Sequence, residues 1–330
     1  MTLKRFAAAL ALLAFWWVLY PGDAHAWTPG THIYLGESIL ANLRLIPSTI
    51  ATLLQAFPYD FLYGTIAPDT SIAKKYVPPG RHSHFWHVGR ETFDQAPSDA
   101  LRAFGLGYLS HLAADTIAHN YFVPRQLVLT PTTRSMGHTY WESRVETQLG
   151  SGWAKKAREI IRLDQQAANR HLERIISPTI FSVRTNRRIF HGMVRLSHTR
   201  GFQRAMQTAS DRSRWLLNEE DVERHLQIAY DVTVEMLAAA EQGLEGARAF
   251  ALDPNGAQAL RAAKRLRRKE LGLGTLGSPS RLLELAEARF GARPHQGSFW
   301  TRSEITRPWN GRRGVVHAPA SGPMVTLAGE

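Results

Sequence analysis

The chain has 330 residues, of which 44% are hydrophobic and 21% are charged, and its formal net charge is +12. This apolar content is enough for a large core, and the basic balance favours anionic partners such as phospholipid headgroups, nucleic acid or a negatively charged cell envelope. The absence of cysteine excludes disulfides, thiolate metal sites and cysteine-linked lipid anchors. Any metal ion must therefore be held by His, Asp, Glu, water or backbone groups.

The N-terminal segment is typical of a secretory signal. An apolar run of about 15 residues follows Lys4 and Arg5 and is shorter than a membrane-spanning helix needs, and the sequence AHA that ends at residue 26 fits a cleavage site. We predict a cleaved signal peptide over residues 1–26 and a secreted or periplasmic protein. Trp27 would then be the first residue of the mature chain, with a free α-amino group that can bind metal.

Helical periodicity dominates the mature chain, and strand signals are scarce. The pattern predicts an all-α protein with helices over about residues 32–43, 48–57, 98–120, 152–175 (with a possible break), 197–217 and 218–250, and one that starts near residue 135. The segment over residues 59–91 contains several Gly and Pro residues, and we predict a long structured loop there because both residues interrupt helices.

The composition changes after Pro254, where basic and then Gly-rich sequence begins. We therefore predict one multi-helix domain over residues 27–252, followed by a basic, irregular and partly disordered C-terminal extension over residues 253–330. The basic run Lys264–Lys269 is interpreted as a solvated helix face, and a surface for anionic membrane or nucleic acid is the alternative.

Three polar residues repeat at a spacing of four in the apolar stretch HLAADTIAHNYFVP, namely His111, Asp115 and His119. On a helix this spacing places their side chains along one face. Burial of such groups is costly unless they are hydrogen-bonded, paired or bound to metal. His138 and Glu142 repeat the same spacing in a later predicted helix.

Further residues of metal-binding type crowd the first half of the chain. The full set of candidates is Trp27 (as an amine), His32, Asp69, His84, His111, Asp115, His119, His138 and Glu142. Each one alone has an ordinary structural explanation, because a single buried histidine is most often a hydrogen-bonded core residue and a Pro-Asp pair is most often part of a turn. Their conjunction in one stretch, directly after a cleavage motif, indicates a metal site.

Five pieces of sequence carry a resemblance to a known family. They are WTPGTH, GTIAPDT, HFW, GYLSHLAADTIAH and GHTYWE, and together they cover about residues 27–142. They resemble the bacterial zinc-dependent phospholipase C family and its wider relatives, the fungal single-strand-specific nucleases. The resemblance implies an all-α fold and three zinc ions held by the N-terminal Trp, five His and carboxylates.

The resemblance also implies how the candidates are shared among the three zinc ions. The first ion would be held by Asp69, His84, His111 and Asp115, the second by His119, His138 and Glu142, and the third by Trp27, His32 and the bridging Asp115. Asp69 would also be catalytic, because its counterpart is thought to orient or deprotonate the attacking water.

Two features of this assignment depart from the family pattern or require a choice. Many members have five residues between the bridging Asp and the next His, whereas Asp115 and His119 are separated by three. The stretch RHSHFWH also offers His82 and His87, and His84 is chosen because the family has His followed by Phe and a second aromatic residue.

The resemblance favours a secreted zinc-dependent phosphodiester hydrolase, specifically a phospholipase C that acts on a phospholipid membrane surface. A single-strand-specific nuclease or 3′-nucleotidase with the same metals is the alternative, with nucleic acid as substrate, because the short spacing from Trp27 to His32 looks like the nuclease branch. A non-catalytic zinc-binding envelope protein is the third possibility. The sequence does not identify a protein partner, the preferred headgroup or the oligomeric state.

Overall fold

The computed structural model describes residues 27–71, 77, 81–130, 136–213, 215, 217–244, 246–272, 279–295 and 297–304. The predicted signal peptide and the last part of the predicted C-terminal extension, residues 305–330, lie outside the described residues. No described helix is both long enough and apolar enough to cross a membrane.

Helices make up the regular structure throughout the described residues, and no strand is present there, which confirms the predicted all-α class. The helices are α1 (Pro29–Leu40), α2 (Ser48–Ala56), α3 (Pro58–Gly64), α4 (Trp86–Asp94), α5 (Asp99–Ile117), α6 (Val123–Leu129), α7 (Met136–Leu149), α8 (Ser151–Ile160), α9 (Gln166–Ile175), α10 (Val183–Ser197), α11 (Arg200–Asp211), α12 (Glu219–Ala239), α13 (Ala257–Gly272) and α14 (Pro279–Phe290). A π-helical turn, Ala118–Phe122, joins α5 to α6.

The predicted long loop over residues 59–91 is wrong in part, because α3 lies within it and α4 begins there. Pro58 occupies the first position of α3, where its missing N–H costs nothing. A 3-10 turn, Ala67–Thr70, follows α3. Helix α10 was not predicted from the sequence. The helix that was predicted to extend to about residue 250 ends at Ala239.

Helix α5 is the central element of the fold. Ser98 caps its first turn by accepting a hydrogen bond from the backbone N–H of Leu101, and almost every residue from Leu101 to Ile117 is buried. A helix that is buried on all sides must be surrounded by others, and α3, α4 and α12 pack against it. The side chains that α5 carries are therefore held in a dry environment.

Two glycines allow α3 and α5 to cross in backbone contact. A Cβ atom added at Gly64 would lie 2.1 Å from the carbonyl oxygen of Phe104, and one added at Gly107 would lie 2.0 Å from the carbonyl oxygen of Phe61. No side chain fits in either place. The crossing brings the end of α3 beside the middle of α5, and residues of the metal-binding type follow both segments.

Helices from the region after residue 252 pack against the main body. Both α13 and α14 contact α6, the guanidinium of Arg267 donates to the carbonyl of Val128 (2.6 Å), and Arg125 pairs with Glu287. The division of the chain into two regions at residue 252 stays a prediction. The described part of the second region consists largely of packed helices.

Replacement of Gly107 by Ala tests the α3–α5 crossing. The added methyl group has no space, so we expect a loss of about 2–3 kcal/mol in the free energy of unfolding, measured by denaturant melts of the mature chain. Gly192 is the matched control, because it lies within α10 with no atom near its would-be Cβ. Gly192→Ala should leave stability unchanged or raise it by up to about 1 kcal/mol. Equal stability of the two variants would contradict the proposed contact.

Candidate metal centre

Five buried side chains from separate parts of the chain converge beside the middle of α5. His32 comes from α1, Asp69 from the 3-10 turn after α3, His84 from the segment just before α4, and His111 and Asp115 from α5 itself. Their side chains are at most 1% exposed. Two groups of three, His32 with Asp69 and His111, and His84 with His111 and Asp115, have ligand atoms within 4.8 Å of one another.

Four of these residues place their ligand atoms at distances that suit a tetrahedral zinc site, and we call them the tetrahedral set. The Nε2 atom of His84 lies 3.1 Å from His111 Nε2, 3.3 Å from Asp69 Oδ1 and 3.4 Å from Asp115 Oδ2. The Nε2 atom of His111 lies 3.2 Å from Asp115 Oδ2 and 3.8 Å from Asp69 Oδ1. Zinc–ligand bonds of the usual length place the ligand atoms of a tetrahedron about 3.3 Å apart, so the donor set fits a zinc ion.

Backbone and hydroxyl groups orient the two imidazoles. The Nδ1 atom of His111 lies 2.9 Å from the carbonyl oxygen of Thr65, which can only accept, so Nδ1 carries the proton and Nε2 faces the cluster. The Ser83 hydroxyl donates to the carbonyl of Pro68 (2.7 Å) and can accept from His84 Nδ1 (3.1 Å). Such partners fix the tautomer of a metal-binding histidine.

The carboxylate of Asp115 faces two directions. Its Oδ2 atom contacts His84 and His111, whereas its Oδ1 atom lies 3.2 Å from His32 Nε2. The His32 ring stacks on the His111 ring with a centroid distance of 3.9 Å. Asp115 is therefore placed to share its two oxygens between neighbouring ligand groups.

Burial and mutual charge set the protonation of the cluster. Burial, reinforced by His111, lowers the pKa of His32. Burial opposes protonation of His111 as well, but Asp115 and Asp69 outweigh it and raise the pKa of His111. Burial opposes ionisation of Asp115, yet His111 and His32 hold its pKa well below the usual range. An ionised carboxylate next to imidazoles is the state that binds zinc, and the proton held on His111 is the one that a cation would displace.

Trp27 lies against α5 beside this cluster. Its indole Nε1 donates to the carbonyl of Ala114 (3.1 Å), the residue before Asp115, and its ring stacks on Phe122 at 5.3 Å. The segment after Trp27 is held by the half-buried Glu146 of α7, which forms hydrogen bonds with the Thr28 side chain and the Gly30 backbone. Desolvation raises the pKa of this carboxyl. The start of the predicted mature chain is thus anchored at the centre.

The other candidates lie just after α5 and on α7. His119 lies in the π-helical turn and is buried, and its Nδ1 donates to the carbonyl of Pro254. Glu142 is also buried. Within the described residues, neither belongs to the two ligand groups whose atoms lie within 4.8 Å. The backbone of His138 belongs to α7, but its side chain lies outside the described part, so the second predicted ligand set stays a prediction.

The two histidines that flank His84 have different surroundings. His82 is half-buried, its Nδ1 accepts from the backbone N–H of His84 (3.2 Å), and its ring packs on Phe85. His87 is exposed and stacks on the same phenylalanine. Of the three, His84 is the one whose ring nitrogen contacts the carboxylates of the cluster.

A loop from the C-terminal region fixes two of the ligand candidates. The side-chain amide of Asn255 donates to the carbonyl of His84 (2.7 Å), and the Pro254 carbonyl accepts from His119. Gly256 has a φ of +54°, and a Cβ atom there would lie 2.2 Å from the carbonyl oxygen of His119. The loop thus packs directly on the backbone of the site.

A cavity of about 100 Å³ opens beside the cluster. Asp69 lines it together with Glu142 and Glu146 of α7, so its polar end meets the candidate ligands. The rest of its wall is largely apolar and comes from α8, α10 and α11, through Ala154, Ala157, Phe190, Met193, Val194, Phe202 and Met206. A phosphoryl group at the polar end would have apolar substituents directed toward α10 and α11.

The model of the zinc-dependent phospholipase C family matches residues 31–186 of the chain. The match extends from α1 into α10 and contains every predicted ligand except Trp27. With this match, the helical fold and the buried donor cluster define a zinc-dependent phosphoric ester hydrolase. The family predicted from the sequence is confirmed, and residues 31–186 form a zinc-dependent phospholipase C domain. The comparisons with curated proteins and with solved structures found no match.

The sequence analysis did not identify the groups that orient the ligands. Some of these groups are backbone carbonyls, which leave no pattern in the sequence because every residue has one. They belong to Thr65, Pro68 and Pro254. Ser83 directly precedes His84 and could have been found as a hydroxyl neighbour of a ligand. Asn255 had no signal, because it lies 171 residues from the histidine that it contacts.

Replacement of Asn255 by Ala tests the role of the loop. Loss of its hydrogen bond to the His84 carbonyl should lower zinc affinity by about tenfold or more, measured by competition with a chromogenic chelator. Gln95 is a matched control because its amide bonds Glu91 on the exposed side of α4. Gln95→Ala should keep wild-type affinity, and an Asn255→Ala protein with that same affinity would show that the loop does not position His84.

Proposed function

We propose that the chain is a secreted or periplasmic phospholipase C that cleaves membrane phospholipid to diacylglycerol and a phosphorylated headgroup. The observation that supports this most directly is the tetrahedral set of Asp69, His84, His111 and Asp115 at the polar end of a cavity with apolar walls. The phospholipase C domain over residues 31–186 agrees with a phospholipid substrate.

We propose three zinc ions, held by the ligand sets that the family resemblance implies. The two-sided contacts of Asp115 support its role as the bridge between the first and third sites, and the position of Trp27 against α5 supports a contribution of its backbone to the third. Bound zinc supplies Lewis acidity and lowers the pKa of water to near neutrality.

The residues of the chain then have separate tasks in the hydrolysis. Asp69 borders the cavity, so it orients the attacking water and accepts its proton. The water oxygen bonds to phosphorus as the bond from phosphorus to the glycerol oxygen breaks. The glycerol oxygen takes a proton from solvent water and leaves as diacylglycerol, and Asp69 returns its proton to the solvent. His84 and His111 stay neutral as ligands because their Nδ1 protons are held by Ser83 and Thr65.

A single-strand-specific nuclease is the second candidate. The four-residue gap between Trp27 and His32 supports it, as does the net charge of +12, which suits a polyanionic substrate. The apolar wall of the cavity favours the lipid, because a nucleotide would place polar groups against Phe190 and Met193.

Assays with and without chelator test the proposed function. The mature protein should hydrolyse phosphatidylcholine vesicles, lose this activity on chelation, leave single-stranded DNA intact, and contain about three zinc ions on a chain that begins at Trp27. Cleavage of DNA alone would make the protein the nuclease. Zinc that raises Tm without any hydrolysis would make it a binding protein.

Two histidines from one stretch form a matched pair of variants. His84→Gln removes a ligand of the tetrahedral set, so kcat/KM on vesicles should fall by more than about 100-fold, since the loss of an outer-shell partner alone costs 10–100-fold. His87→Gln changes an exposed ring only three residues after His84 and should retain wild-type activity. His138→Ala should lose activity like His84→Gln. A fully active His84→Gln protein would refute the assignment.

A further inference from the structure

The helix pair α10–α11 concentrates the positive charge of the protein. Residues 183–212 contain seven arginines and one acidic residue, Asp211, which gives a net charge of +6, half of the +12 of the whole chain. One of the seven, Arg187, pairs with Glu173 of α9 (2.9 Å). The other six arginines are exposed and can contact an external partner.

The arginines and the apolar residues of these helices lie on opposite sides. On α10 the buried residues include Phe190 and Val194. On α11 Phe202 and Met206 are half-buried and line the cavity. The exposed arginines of the pair are Arg184, Arg188, Arg195, Arg200, Arg204 and Arg212. Each helix thus presents an apolar inner side to the protein and a basic outer side to the solvent, and a surface cluster of cations attracts anionic lipid headgroups.

The last turn of α10 adds an apolar side chain to the basic surface. Leu196 is 47% exposed and lies between Arg195 and Arg200 in the sequence. A large aliphatic side chain among cations can enter the headgroup layer while the guanidinium groups stay with the phosphates. This combination favours a lipid surface over a nucleic acid, which offers no apolar layer for the leucine.

The cavity that α10 and α11 line gives a reason for a lipid-binding surface on these two helices. Its volume of about 100 Å³ is well below the roughly 300–1,000 Å³ of pockets that enclose a whole drug-sized ligand. A phospholipid can therefore place only its phosphate and the adjacent glycerol region inside. Its acyl chains stay in the bilayer, so the protein must contact the membrane close to this cavity.

We propose that the outer faces of α10 and α11, with Leu196 in the last turn of α10, form a docking surface for membranes rich in anionic phospholipid. The inference that the docked lipid is also the substrate rests on the proposed function, whereas the docking itself does not. Helix α13 provides an internal comparison because it also exposes Arg261, Arg265 and Arg268. No cavity-lining residue of the described chain belongs to α13, so this helix should not dock.

Vesicle flotation of the mature full-length chain tests the docking surface. Wild type should bind vesicles of phosphatidylcholine with phosphatidylglycerol, bind vesicles of phosphatidylcholine alone more weakly, and detach as salt is raised. The variant R188Q/R195Q/R204Q should lose about 100-fold in partitioning to the anionic vesicles, since each cation near such a surface accounts for about fivefold. The matched variant R261Q/R265Q/R268Q should bind like wild type.

Activity and nucleic acid binding separate the remaining outcomes. If the proposed function holds, the ratio of turnover on anionic vesicles to turnover on monomeric short-chain phosphatidylcholine falls in the α10–α11 variant and not in the α13 variant. If the protein hydrolyses no lipid, flotation still tests the docking surface. Equal loss of flotation in both variants, or unchanged flotation in the α10–α11 variant with weakened binding of single-stranded DNA, would overturn the proposal.

Discussion

An ionised carboxylate buried beside three imidazoles is the constraint on which the rest of the site depends. Asp115 is fully buried on α5, and burial of a charge is costly unless opposite charge compensates it. His32, His84 and His111 lie 3.2–3.4 Å from its oxygens. A divalent cation is the natural compensation for this set, because one ion neutralises the carboxylates of both Asp115 and Asp69 and satisfies the inward-facing nitrogens.

Several distant segments keep that arrangement in place, so zinc binding and folding should be coupled. The glycine contact between α3 and α5 brings the Thr65 carbonyl to His111. Glu146 anchors the segment that follows Trp27, and the loop at residues 254–256 contacts the backbones of His84 and His119. The start of the described chain and the loop at residues 254–256 are thus both held at the site, although the family match covers only residues 31–186.

The same helices connect the polar centre to the lipid that we propose as substrate. The cavity has Asp69 at one end and the inner faces of α10 and α11 on its wall. Those helices carry six exposed arginines on their outer faces. The helices that line the cavity would therefore also carry the proposed docking surface, so that the scissile phosphate lies near Asp69 while the acyl chains remain in the membrane.

The sequence by itself determined the all-α class, the family and the stripe of His111, Asp115 and His119 on one helix, because a spacing of four and a buried apolar context are local properties. The prediction of a loop over residues 59–91 was wrong in part because Gly64 belongs to α3, where the crossing with α5 requires a glycine. Only the tertiary structure decided which carbonyls orient the imidazoles, how Asn255 reaches His84, and that the arginines of α10 and α11 share one surface. The reason is physical, since these relations join backbone groups and faces of helices that are far apart in the chain, and a carbonyl or an exposed arginine has no local pattern that reveals its partner.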